Sequence, residues 1–98
     1  MKLYQQGDVL IEEVTELKGK KVNHKILAVG EVTGHSHTIV EDDVELWEDN
    51  GVLFINAPTE FTVTHQEHKP VTIPKGKYKV RKVLEYDHFL QESRNVRD

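Results

Sequence analysis

Apolar and β-branched residues along this chain come in short runs closed by turn residues, and no stretch sustains a helical apolar period. The first run, Gly7 to Val14, is built on Val9-Leu10-Ile11 and ends in the Leu17 to Lys21 loop. The second, His24 to Thr33, has Ile26-Leu27-Ala28-Val29 as its apolar part, and Gly30 inside it predicts a bulge or a close backbone approach. His35 to Val40 follows, then an acidic bend at Glu41-Asp42-Asp43. Val44 to Trp47 and Val52 to Asn56 flank Asp49-Asn50-Gly51, and Asn-Gly between two apolar runs predicts a tight hairpin. Pro58 breaks the chain, Glu60 to His65 resumes it, and a polar loop leads to Pro70. Pro74-Lys75-Gly76 then turns into a last strand from Lys77 to Tyr86. The expectation is one all-β domain over 1–98, a small barrel or sandwich of about seven strands, with 87–98 as a polar tail or short helix.

Composition narrows the chemistry. The 98 residues include no cysteine, which removes disulfides, thiolate metal sites and thiol nucleophiles together. At this length a fold buries about two-thirds of its unfolded surface, so a metal or a second subunit would help to stabilise it. No apolar run is long enough to span a bilayer, and Met1 to Asp8 carries no apolar signal region, so the expected address is the cytoplasm, away from the membrane. The net charge of −4 argues against generic nucleic-acid binding. Charge is unevenly placed. Lysines gather at Lys18, Lys20, Lys21 and Lys25 and again from Lys69 to Lys82, around an acidic middle from Glu41 to Asp49. This is a solvated surface or a bipolar subunit whose faces attract neighbours, which makes a homo-oligomer the expected partner.

Histidine is the candidate chemistry. Four of the six fall in His35-Ser36-His37 and His65-Gln66-Glu67-His68. Strand side chains alternate, so His35 and His37 share the face of Ile39, and His65 shares that of Phe61 and Val63. Both groups therefore aim imidazole inward, where it requires partners. A divalent transition metal, with zinc first in expectation, supplies one through His35, His37, His65 and His68, with Glu67 as general base if the protein hydrolyses anything. Against this stands a reading in which the rings only satisfy loops at the strand ends. His24 and His88 read as surface residues. No phosphate-binding glycine loop or nucleophile elbow occurs.

Leu27 to His37, with its Gly30-Glu31-Val32-Thr33-Gly34-His35-Ser36-His37 core, resembles the opening signature of a family of small uncharacterised bacterial and phage proteins. Thr64 to Val80 is similar to that family's second signature, T-H-x-E-H-x-P-I-x-L-P-x-G-x-Y-x-V, and Gly7 to Ile11 and Tyr86 to Asp98 extend the likeness to both ends. The resemblance implies weight on the two histidine groups and names no reaction. Two wider likenesses concern shape. His35, His37 and Glu41 have the spacing of a cupin metal motif, although Gly30 and Gly51 are displaced from its glycine positions and Lys79 stands where its last histidine belongs. Asp8 to Ile11 and Ile26 to Gly30 faintly resemble strands of the ten-kilodalton co-chaperonin.

Two function classes result. One is a metal-binding or small-ligand domain working through the histidine cluster in a homo-oligomer. The other is a structural or assembly subunit of a phage or bacterium, with neither metal nor catalysis.

Overall fold

The computed structural model describes residues 2–29 and 34–82. They form ten strands: β1 (Leu3–Gln6), β2 (Val9–Glu13), β3 (Lys20–Val22), β4 (Ile26–Val29), β5 (Ser36–Ile39), β6 (Glu45–Asp49), β7 (Val52–Ala57), β8 (Phe61–His65), β9 (His68–Ile73) and β10 (Gly76–Lys82). Two open antiparallel sheets result, β1-β2-β10-β7-β6-β3 and β4-β5-β8-β9. The all-β expectation holds as a sandwich. The barrel and the cupin-like arrangement are corrected, since each sheet keeps two edge strands instead of closing.

Local chemistry explains the hairpins. Asn50 and Gly51 adopt φ of 52° and 82°, the positive pair that a type I′ turn needs, and they set Asp49 opposite Val52. Gly7, at φ 60°, opens the two-residue turn that sets Gln6 opposite Val9. Bulges interrupt the β4–β5 and β8–β9 ladders, the first between Ile26 and Ala28. Gly30, where the sequence predicts a bulge or a close approach, lies outside the described residues with Glu31 to Thr33. The tail from 83 onward, with His88, lies outside them too.

Alternation then sorts each strand. Ile11, Leu46, Ile55, Tyr78 and Val80 of the six-stranded sheet face Leu27, Ile39, Phe61, Val63 and Ile73 of the four-stranded one, and these residues make up most of the core. Tyr78 is edge-on to both Tyr4 and Phe61, and its hydroxyl donates to the Pro74 carbonyl at 2.8 Å. Burial pushes that phenol's pKa up, with Tyr4 and Glu13 adding to the shift. Fully burying ten such side chains at about 1.5–3 kcal/mol each supplies the main driving force for the sandwich.

On the outside of the larger sheet, Glu45 Oε1 accepts from Asn56 and from the Trp47 indole, both at 3.3 Å, and Glu45 Oε2 lies 3.4 Å from Lys21. The bond from Asn56, then those from Trp47 and Lys21, hold the Glu45 carboxyl below its ordinary pKa. Lys25 Nζ donates to the carbonyls of Asp42 and Val44, tying the acidic bend to the entry of β4. No helix among the described residues is long and apolar enough to cross a membrane.

Gly19 introduces β3 at φ 87°, and a Cβ there would drive into the backbone carbonyl of Glu48. Gly19→Ala is expected to cost at least about 1–2 kcal/mol from the left-handed conformation alone. Because β3 is a three-residue edge strand, the overlap is relieved by detaching it. Amide exchange should quicken across β3 and stay slow in β7 and β10; unchanged exchange in β3 would refute this account.

Candidate functional site: a buried amide–imidazole node

The inward phasing of the histidines is real, but the residue that organises them is Gln6. As the last residue of β1 it shares the inner face with Tyr4, and it is 3% exposed. Its Nε2 donates to the carbonyls of Val63 on β8 and Lys69 on β9, each at 2.9 Å. Both amide hydrogens are thereby used, which orients the side chain and leaves Oε1 to accept from His37 Nδ1 at 2.8 Å. One glutamine thus joins the edge of one sheet to three strands of the other.

That bond assigns His37 its tautomer. An amide oxygen only accepts, so Nδ1 carries the proton, and Nε2 lies 3.7 Å from Asp8 Oδ1 at the β1–β2 turn. His37 is 2% exposed. Around it the other imidazoles pack as rings. Its centroid is 4.3 Å from that of His65, at an interplanar angle of 37°, and 5.8 Å from that of His68, nearly parallel at 17°. His65 and His68 lie 4.6 Å apart, and His35 meets His65 edge-on at 5.7 Å. Gly7 belongs to the same packing, because a Cβ there would stand 2.6 Å from His68 Nε2.

Glu67 sits exposed in the turn joining β8 to β9. Its backbone N–H donates to His65 Nδ1 at 3.0 Å, and its carboxylate lies 3.6 Å from His35 Nδ1. Gln66 Oε1 of the same turn accepts from the Ser36 backbone N–H at 2.9 Å, so the turn is fastened to the start of β5 by side chains from both.

This geometry overturns the metal expectation. Sequence spacing brings His35, His37, His65 and His68 together, yet no three His, Asp or Glu side chains among the described residues are arranged to hold a metal ion. The physical reason lies in the rings. An imidazole lone pair points along its ring plane. Here His37 and His68 lie nearly parallel while His65 packs tilted against both and His35 meets it edge-on, so the rings contact one another instead of directing lone pairs to one point. Nδ1 of His37 and of His65 is also committed, to Gln6 and to the Glu67 amide. Zinc or another divalent ion on these histidines is therefore withdrawn, and with it the hydrolytic role of Glu67 beside that metal. Glu41, the third position of the cupin-like spacing, instead accepts from the Thr62 backbone N–H at 2.7 Å. His24 is exposed as expected.

Gln6 and Asp8 escape a reading centred on histidine. A signal for Gln6 exists: in Tyr4-Gln5-Gln6-Gly7-Asp8 it occupies the same strand face as Tyr4, and a polar residue at an inward position needs a partner. Fold and site together define a class, a two-sheet antiparallel β-sandwich whose halves are pinned by a buried amide–imidazole node. The chain belongs to the family described as Domain of unknown function (DUF8820), which it matches over residues 5–83, a span that includes Gln6, Asp8 and all four clustered histidines. No curated protein and no solved structure matches it.

Proposed function

We propose that this chain is a structural assembly subunit that associates with copies of itself through the outer face of its four-stranded sheet, with the histidine node serving architecture. The observation that carries the reading is the makeup of that face. Pairing sets Ile26 beside Thr38, Thr38 beside Thr64, and Thr62 beside Thr72, all opposite the buried Ile39 and Val63. Val29 and Val40 continue it at 64% and 58% exposure, and Ile26 is 39% exposed. None of these seven side chains is charged. The outer face of the other sheet, by contrast, carries Lys77, Lys79 and Arg81 on β10 and Glu12 on β2.

An uncharged β-branched surface suits contact with a second copy, because a two-fold pairing sets like against like and meets no charge repulsion. Exposed aliphatic side chains grouped on one face also favour burial. A cytoplasmic address belongs to this reading, since a chain without cysteine draws no stability from an oxidising compartment.

Light scattering at low and high salt tests it. The mass should exceed that of one chain and persist at high salt, because burial of apolar surface is not screened. Association between the acidic middle and the basic last strand would weaken with salt instead. Val29→Lys combined with Val40→Lys should give a folded monomer. A wild-type monomer at both salt concentrations would sink the proposal.

A further inference from the structure

The outer face of the six-stranded sheet poses a separate question. Phe54 pairs with Trp47 on one side and Lys79 on the other, and its neighbour Ile55 points into the core. Phe54 therefore faces outward and is not part of the packing between the sheets, yet it is only 6% exposed. Trp47 and Leu10 on the same side are half-buried. An aromatic and aliphatic centre thus sits on a face crossed by the basic row Lys77, Lys79 and Arg81.

We infer that this face is the docking surface for the chain's own C-terminal segment, residues 83–98. That segment leaves directly from β10, the strand carrying the basic row. It offers Tyr86, Phe89 and Leu90 as apolar groups, and its first ten residues contain Glu85, Asp87 and Glu92 with no lysine or arginine. The apolar centre is matched, and so are Lys77 and Lys79 of the basic row, while Arg81 already has Glu12 of the same face at 3.8 Å. Reach is ample: Trp47 lies two strands from β10, about 10 Å at ordinary strand spacing, whereas sixteen residues span about 24 Å even as a helix. Tethering raises the local concentration of the segment over that of any free partner. This inference does not rest on the assembly proposal, which concerns the opposite outer face.

The composition provides the experiment. The chain has a single tryptophan, Trp47 on this face, and no cysteine. A nitroxide on Ser93→Cys in the full-length protein should remove most of the Trp47 emission, equally at high and low protein concentration. Glu85→Lys with Asp87→Lys should restore emission and shift it to longer wavelength, and adding Lys77→Glu with Lys79→Glu should bring the quenching back. Quenching that vanishes on dilution would assign the face to a neighbouring copy's segment and overturn the inference. So would absent quenching together with unchanged Trp47 emission in the full-length Tyr86→Ser, Phe89→Ser variant.

Discussion

Replacing Gln6 with leucine is expected to lower stability by about 2–5 kcal/mol, among the largest effects of any polar substitution in this chain. Leucine matches glutamine closely in volume, so cavity formation contributes little. The loss arises from the groups left behind. The Val63 and Lys69 carbonyls lose an amide donor, and the His37 Nδ1–H loses its acceptor, in a place water reaches poorly. Each orphaned group costs about 1–3 kcal/mol when fully buried, and the part-buried bond to Lys69 sits at the low end. Urea unfolding measures the change, and for a domain of this size it corresponds to a melting shift of roughly 4–8 °C per kcal/mol. A double-mutant cycle with His37→Leu separates the node from generic damage. Removing the imidazole as well deletes one orphan, so the two losses should fall short of additivity by about 0.5–3 kcal/mol. Strict additivity would show that Gln6 and His37 do not act as a unit.

How much of this arrangement could be read from residue order depends on which physical rule governs each part. Period-two alternation and turn chemistry are local, and they place the β6–β7 hairpin and the buried sides of β5 and β8 correctly. Three strands escape for reasons particular to each. β1 is half glutamine, and its polar residues hide its period. β3 carries Lys20 and Lys21, which protect an exposed edge while reading as a loop. β9 contains Pro70, tolerated because β9 is an edge strand and misread because proline so often breaks one. The histidine node shows the same divide. Alternation says which side of a strand an imidazole takes, and on that count His37 and His65 are legible. It says nothing about ring rotation or about what arrives from a strand thirty residues away. Gln6 comes from such a strand, and it turns apparent metal ligands into hydrogen-bonded, ring-packed architecture.

Phe61→Ala is expected to cost about 3–5 kcal/mol, the usual range for emptying a fully buried aromatic site. Phe61 begins β8 opposite Ile73, has no exposed surface, and meets the ring of Tyr78 edge-on at 5.7 Å, so it forms part of the contact between the two sheets. A domain of 98 residues holds on the order of 5–15 kcal/mol in total. The loss is therefore about a fifth or more of the total, which moves the urea midpoint toward zero and, at the low end of that range, brings the variant close to its melting point at ordinary temperatures. Thr62→Ala, one residue along and on the outer face, is the internal comparison and should change stability by no more than about 0.5 kcal/mol. A Phe61→Ala loss near that of Thr62→Ala would mean that Tyr78 swings into the vacated space. Tyr78 is anchored against this by the bond from its hydroxyl to the Pro74 carbonyl, so the combined variant Phe61→Ala, Tyr78→Phe decides the point. If the anchor keeps the cavity open, releasing it lets the ring collapse inward, and the double variant loses less than the sum of the two single ones.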